Sequence, residues 1–474
     1  MEAQPNDYVS ELGNELTEML IRVVFPEDSG THEQCIYKVP QKIRQINPQA
    51  YTPRLISIGP FHSPLGSNSD ENHLQEMEGL KLRYLKGFLD RTKISVHDLL
   101  FKLQEWEWEN KIRKCYAGPI SFNKKDLLKI IMVDACFIIE HFFRFYYRYR
   151  DTIWKNDDPI LMKPWLLDDI FRDLILLENQ LPFFVLEMIY KLTNVNRDPA
   201  SFITFTINYF KVFNLQSLTT GNFTGPTFSD NTLPNHITNP KLPEHFTDLL
   251  RTFLLPSSFN FRPESSGNID HATEQVYSVS QLSEAGLKFE LSDSKCLLDL
   301  KFELSDSKCL LDLKFDKGVL KMPCFLVHDS TERYMRNILA FEECHISNKH
   351  SAYISQYFTL LDILINTEND VNILVNKKII INWTSDANAV ATMVNNLCKN
   401  ASMPKYNKDY RDLFQRLNGF YENPRNKYKA IFVHEYFNTP WKIASTLTAG
   451  FLVLFTLIQA VCSIWSLVKS NKKK

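Results

Sequence analysis

The sequence predicts a mostly α body of α+β class, with a small β-hairpin or sheet element and one C-terminal transmembrane helix. Three observations carry this. Apolar residues recur at spacings of three and four along most of the chain, as on one face of a helix. Phe is common at 34 residues and Gly scarce at 14, which suits packed helices better than a Gly-rich sheet or barrel. Ile443 to Val468 contains no charged residue, and at 1.5 Å per residue it reaches about 39 Å, more than a hydrocarbon core of roughly 30 Å.

Residues 1–30 hold an N-terminal amphipathic helix over 8–25, with Val9, Leu12, Leu16, Leu20 and Val23 on one face. Glu2, Asp7, Glu11 and Glu15 exclude a secretory signal, which needs positive charge there. The globular body follows over 31–436, as an N-terminal lobe 31–213, a loop 214–275 and a C-terminal lobe 276–436. Pro40, Pro48, Pro53 and Pro60 make 35–62 extended and turn-rich. Leu74, Met77, Leu80, Tyr84, Leu85 and Phe88 predict a helix over 74–90. Residues 126–146 are apolar nearly all round, but Asp126, Lys129, Asp134, Glu140 and Arg144 mark a buried core helix and not a span. Another buried helix is expected over 168–190, broken by Pro182.

The loop 214–275 is rich in Asn, Thr, Pro and Ser and is expected to run over the surface, apart from a helix at His245–Leu255. The stretch KFELSDSKCLLDL stands at Lys288–Leu300 and again at Lys301–Leu313. One perfect repeat is unlike a solenoid, whose many copies diverge; it points to a recent local duplication or a gene-model error. Leu311–Phe315 and Val319–Val327 flank Asp316-Lys317-Gly318, a hairpin signal with Gly where positive φ is needed. Helices are expected over 331–345, 351–366 and 385–400, with Thr367–Asp370 and the apolar run Val371–Ile381 between the last two. The transmembrane helix covers 440–468, with Pro440 at its first position and Trp441 and Trp465 near its two ends. A basic tail, 469–474, closes the chain.

Net charge is −1, so nothing global points to a nucleic-acid partner. The nine cysteines show no C-x-x-C pair and no Cys/His cluster with zinc spacing, and read as reduced, mostly buried thiols. Arg144, Arg148, Arg150 and Lys155 alternate with Phe145, Tyr146, Tyr147, Tyr149 and Trp154; this could stack single-stranded bases but reads better as a snorkelling helix end. Glu178 with Asp134 forms a candidate acid–base pair, and Cys35 with His62 a candidate thiol-protease couple. Both have stronger structural readings: Glu178-Asn179-Gln180 beside Pro182 serves a broken turn, and Cys35 lacks a Gly-rich oxyanion turn. No catalytic, cofactor-binding or metal residue is therefore assigned.

The chain resembles the plant family catalogued as domain of unknown function 247. The resemblance rests on Cys35-Ile-Tyr-Lys-Val-Pro40, Tyr51-Thr-Pro53, Ser57-Ile-Gly-Pro60 with His62, Met77-Glu78 with Lys81, and Asp173 to Phe184. It continues through Glu284 to Phe289, Asp316 to Leu320, Arg336-Asn337, Phe341-Glu342, Leu364 to Thr367 and Pro440-Trp441. The family usually has a second His where this chain has Ser63, which weakens a catalytic role for His62, and it lacks the duplication. The resemblance implies a C-terminally anchored plant membrane protein with no established enzymatic activity. Some grass members are implicated in self-incompatibility, which implies recognition of a protein partner. The expected function is thus membrane-anchored interaction or recognition; the alternative is a membrane-tethered hydrolase with an unrecognised carboxylate site. The expected partners are the bilayer, through 443–468, and a protein of unknown identity. With no N-terminal signal, the body is expected in the cytosol, at the plasma membrane or endoplasmic reticulum. Asn222, Asn382 and Asn400 head sequons that would be used only in the opposite orientation.

Overall fold

A computed structural model describes residues 34–66, 72–104, 108–148, 158–193, 200–212, 242–255, 277–292, 313–346, 352–402, 408–437 and 440–471. The helix expected over 8–25 lies outside them. The described chain begins with β1 (Ile36–Tyr37), the one-turn helix α1 (Gln41–Arg44) and a 3-10 turn at Pro48–Ala50. Its prolines keep it from forming longer elements, as expected. Three helices follow: α2 (Asn72–Thr92), α3 (Val96–Gln104) and α4 (Trp108–Cys115). β2 (Tyr116–Ala117) then pairs in parallel with β1.

Helix α5 (Lys124–Tyr147) is the expected core helix. Asn123 caps it by accepting from the Asp126 N–H, and its apolar residues are buried almost all round. Next come α6 (Pro164–Leu174), α7 (Phe183–Thr193) and α8 (Phe202–Val212). α2, α7 and α8 pack around α5.

The helix expected over 168–190 is two helices, and α6 stops well before Pro182. The reason is local. Asn179 Nδ2 donates to the Asp173 carbonyl, and Gln180 Nε2 donates to those of Leu174 and Leu176. Side chains thus take acceptors that a continuing helix would give to its own N–H groups.

The helix expected at His245–Leu255 exists as α9 (Phe246–Leu254), and it is part of the core. Phe246, Leu249, Leu250, Phe253 and Leu254 are buried, and α9 packs on α11 (Thr331–His345). A helix this apolar on one face is stable only against a partner. Residues 214–241 and 256–275 of the loop lie outside the described residues.

Before α11 stand α10 (Val279–Glu284) and four short strands: β3 (Lys288–Leu291), β4 (Lys314–Asp316), β5 (Val319–Met322) and β6 (Phe325–Val327). The expected hairpin is β4–β5. Lys317 and Gly318, at φ 46° and 78°, close it with the positive-φ pair of a type I′ turn. β3, from the first copy of the duplicated stretch, adds in parallel to the other edge of β5, giving the order β3-β5-β4. The second copy lies outside the described residues up to 312, and its last residue, Leu313, packs against the core. The run Val319–Val327 is not one strand: Pro323 ends β5, and β6 pairs in parallel with β7 (Ile380–Asn382). Between them lie α12 (Tyr353–Leu364) and α13 (Glu368–Asn376), so the apolar run 371–381 divides into the inner face of α13 and then β7.

α14 (Ala387–Leu397), α15 (Lys408–Glu422), α16 (Pro424–Phe437) and α17 (Pro440–Asn471) complete the chain. One continuous apolar core draws on both ends of the body, from Phe137, Phe142 and Tyr209 to Met322, Phe358 and Val371. Over Pro440–Ser466, α17 has a mean hydropathy of 2.1 and is unburied. It is long and apolar enough to cross a bilayer.

The sheet predicts the outcome of removing the second copy. Leu291 faces Met322 and Lys314 faces Lys321, so the end of β3 and the start of β4 share one end of the sheet. Across two strand spacings that is about 10 Å. After deletion of 301–313, residues 292–300 would still reach up to about 30 Å. The shorter loop changes closure entropy by only about 1 kcal/mol. Calorimetry should find the deleted protein melting close to the parent; a collapse of the unfolding temperature would mean that the second copy is built into the core.

Candidate functional site

Residues 173–182, Asp-Leu-Ile-Leu-Leu-Glu-Asn-Gln-Leu-Pro, form a buried polar knot between α6 and α7. Asp173 accepts from the N–H groups of Arg54 (3.0 Å), Leu55 (2.7 Å) and Ile56 (2.9 Å) and from Arg333 Nη2 (3.0 Å). Burial raises its carboxyl, and those same donors pull it back. Asn179 Oδ1 accepts from the Ile58 N–H at 2.6 Å, while its Nδ2 donates to the Ile56 carbonyl at 3.0 Å. Gln180 Oε1 accepts from the Phe246 N–H at 3.0 Å, which fixes the start of α9. On α11, Asn337 Oδ1 accepts from the Leu177 N–H at 2.9 Å, and its Nδ2 donates to the Ala50 carbonyl at 2.9 Å. One break in one helix thereby binds the extended segment, α9 and α11.

Glu178 belongs to this knot. Its Oε1 accepts from the Val39 N–H at 2.5 Å, and its Oε2 meets Arg44 at 2.5 Å and His62 Nε2 at 3.2 Å. Burial alone would raise Glu178; hydrogen bonds from His62, Arg44 and Val39 hold it below the ordinary value.

The structure does not pair Glu178 with Asp134. The Asp134 Oδ1 meets Lys81 Nζ at 2.7 Å, and its Oδ2 accepts from the Gly59 N–H at 2.8 Å. Lys81, itself 1% exposed, also meets Glu78 at 2.6 Å and donates to the Ser57 carbonyl at 2.5 Å. Gly59 is required between the two acids. Its φ is 76°, and a Cβ there would stand 2.5 Å from the Gln180 carbonyl oxygen. Burial pushes Asp134 up to about 6, against the pull of Lys81. Lys81 and Asp134 line a cavity of about 280 Å³ with Glu78, Ser63, Leu65 and Lys129. Both Asp134 oxygens are engaged, so the cavity holds a bound ion pair and not a free base.

Nor does the structure join Cys35 to His62. Cys35 lies beside Cys115, and burial with that neighbour drives its thiol far above the ordinary range, the reverse of an activated nucleophile. The described part of the basic–aromatic run ends at Tyr147 and Arg148, both half-buried. Arg144 is buried, with Glu140 at 2.8 Å and Asp158 at 3.1 Å, and Phe145 and Tyr146 are buried. Residues 149–157 lie outside the described residues. Among the described residues no cluster of His, Cys, Asp and Glu has the arrangement to hold a metal ion.

Sequence reasoning missed Lys81, Arg333 and Asn337 as members of these networks. Lys81 left a signal: it interrupts the apolar stripe of α2 between Met77 and Tyr84. Arg333 and Asn337 left none, because their partners are more than a hundred positions away.

Comparison with known proteins gives one family. Residues 36–455 match DUF247, described as plant protein of unknown function. A UPF0481 protein of Arabidopsis thaliana is 28% identical over 468 residues, covering 95% of this chain and 90% of that protein. A putative UPF0481 protein of the same plant is 35% identical over 152 residues, covering 32% of this chain and 26% of that protein. No solved structure matches.

Two outcomes follow for the knot and the ion pair. Asp173→Ala strands three backbone N–H groups and the buried Arg333, so denaturant unfolding should show a loss of at least about 3 kcal/mol. A loss under about 1 kcal/mol would show that these groups find other partners. Asp134 has a folded value above the 3.8 of an ordinary aspartate. Between about pH 4 and 6 the folded state therefore holds the extra proton, and this group makes stability fall as pH rises. Asp134→Asn removes that contribution, so the variant's stability should climb more steeply than the parent's across the same window. Parallel curves would contradict the shift.

Proposed function

The chain belongs to DUF247, a plant protein family of unknown function, and from that premise we propose that it is a membrane-anchored interaction protein and not an enzyme. One observation carries the reading. Among the described residues, Asp134, Glu140, Asp158, Asp173, Glu178, Glu342 and Asp370 are buried, and each has both oxygens engaged. Most accept from backbone N–H groups of a separate segment. Glu342 takes the Ser355 N–H, and Asp370 takes those of Ser280 and Thr367. The exception is Glu187, whose Oε2 is unpartnered. Acids spent in this way position the chain, and proton transfer through them would loosen it.

The anchor is α17, with the body on the cytosolic side, where thiols such as those of Cys35, Cys136 and Cys324 stay reduced. The plasma membrane and the endoplasmic reticulum are the candidate membranes. The partner surface takes in the segments that leave α8 and α9, since binding residues concentrate on segments carried by a rigid frame. One feature favours a second reading, a tethered hydrolase or small-ligand binder: the cavity beside Asp134. Asp134→Asn separates the two, since loss of a defined turnover in a folded variant would establish the enzyme.

The anchor is checked by alkaline carbonate washing of native membranes, which should leave the full-length protein in the pellet; release into the wash would refute it. Glycosylation at Asn222, Asn382 or Asn400 would reverse the orientation. Proximity labelling from the anchored full chain in plant tissue should then enrich a consistent protein partner, and enrichment of bulk membrane proteins alone would sink the interaction reading.

A further inference from the structure

We infer that α16 lies flat in the headgroup layer of the same bilayer that α17 crosses, so that the body is held to the membrane along a line and not at a point. This rests on the reading of α17 as a span. α16 packs on the body through α10 and α15. Ala430 is its buried residue, and His434 meets Glu284 at 3.2 Å on that side. The side turned away from Ala430 carries Tyr428, Ile431, Phe432 and Tyr436, at 72%, 51%, 53% and 51% exposure. These follow one another at helical spacing, so they make a single stripe. The Phe432 ring lies 5.2 Å from that of Tyr436, which makes part of the stripe one aromatic surface.

Other large apolar side chains exposed on the body, such as Phe101, Trp165 and Trp383, sit on separate elements. Such singletons need no explanation, whereas a contiguous stripe does. Three features say what covers this one. The first is continuity. α16 ends at Phe437 and α17 begins at Pro440, so the last turn of α16 is within a few ångströms of the bilayer surface. The Thr446 hydroxyl donates to the Tyr436 carbonyl at 3.2 Å, so the two helices meet at a corner and do not run on as one rod.

The second feature is length. From Tyr428 to Tyr436 the stripe runs about 12 Å along the axis. A helix standing upright on the membrane would wet only its last turn; one lying flat buries the whole stripe. The third is chemistry. Tyr and Phe beside Arg425 and Lys427 are the residue types of an interfacial helix; Lys427 also meets Glu422 at 2.8 Å, Lys429 lies against Gly286 of the body, and Glu435 is the one acid on α16. That balance fits the anionic headgroups of a cytosolic leaflet.

The test uses the full chain in vesicles of mixed phosphatidylcholine and phosphatidylserine. Spin labels are placed by Tyr428→Cys and Phe432→Cys, by Leu454→Cys as a reference inside α17, and by Glu368→Cys as a reference on the body, all with Cys462→Ser. Labels at 428 and 432 should show an oxygen-to-nickel accessibility ratio several-fold above that at 368 and below that at 454. Labels at 428 and 432 as open to nickel as 368, with 454 still deep, would overturn the flat helix and leave the span standing. A label at 454 that is itself open to nickel would overturn the span, and this inference with it.

Discussion

The fold depends on what is done with backbone groups between α6 and α7. Asp173, in the last turn of α6, and Glu178, Asn179 and Gln180, beyond its end, turn their side chains onto the N–H and carbonyl groups of residues 39, 54–56, 58, 173, 174, 176 and 246. The extended segment 51–62 has no sheet to satisfy it; its partners are these side chains. A buried N–H left alone costs about 1–3 kcal/mol, so the knot and the segment stand or fall together. Asn337 and Arg333 make the same bargain from α11, which is why the two ends of the body share one core.

Much of this was legible in the sequence. The apolar run of α5 had to be buried, because Asp134, Glu140 and Arg144 forbid it a membrane. Asp316-Lys317-Gly318 fixed its hairpin through the positive φ that Gly adopts without strain. The polar cluster at 178–180 was readable as structural from its place beside Pro182. Its partners were not, because hydrogen bonds between residues 39 and 178, or 177 and 337, leave no local pattern. α3, α4 and α8 were not assigned from periodicity, being short or apolar on several sides. α9 was recognised as a helix, but its flanks are polar, and only tertiary contact shows which way its apolar face points. α16 was missed for the opposite reason. Its exposed side carries rings together with Arg425 and Glu435, so no amphipathic period appears.

That last failure ties the fold to the proposed function. A helix with rings on its exposed side as well needs two apolar neighbours. α10 with α15 supplies one, and in the proposed reading the bilayer beside α17 supplies the other. The buried acids other than Glu187 have their oxygens committed to architecture, which is the ground of the proposed interaction role. The Lys81–Asp134 pair borders a sizeable cavity together with Glu78, and its geometry is that of a clamp on Gly59 and Ser57.

The most direct measurement of this account is native-state hydrogen exchange at the amides of Leu55, Ile56, Ile58 and Leu177. If Asp173, Asn179 and Asn337 hold the body together, these four should open only with the whole domain, at one common free energy close to that of global unfolding. Exchange of the first three at the rate of an exposed loop, with Leu177 still protected, would show that the extended segment is an ornament on the fold and not part of its frame.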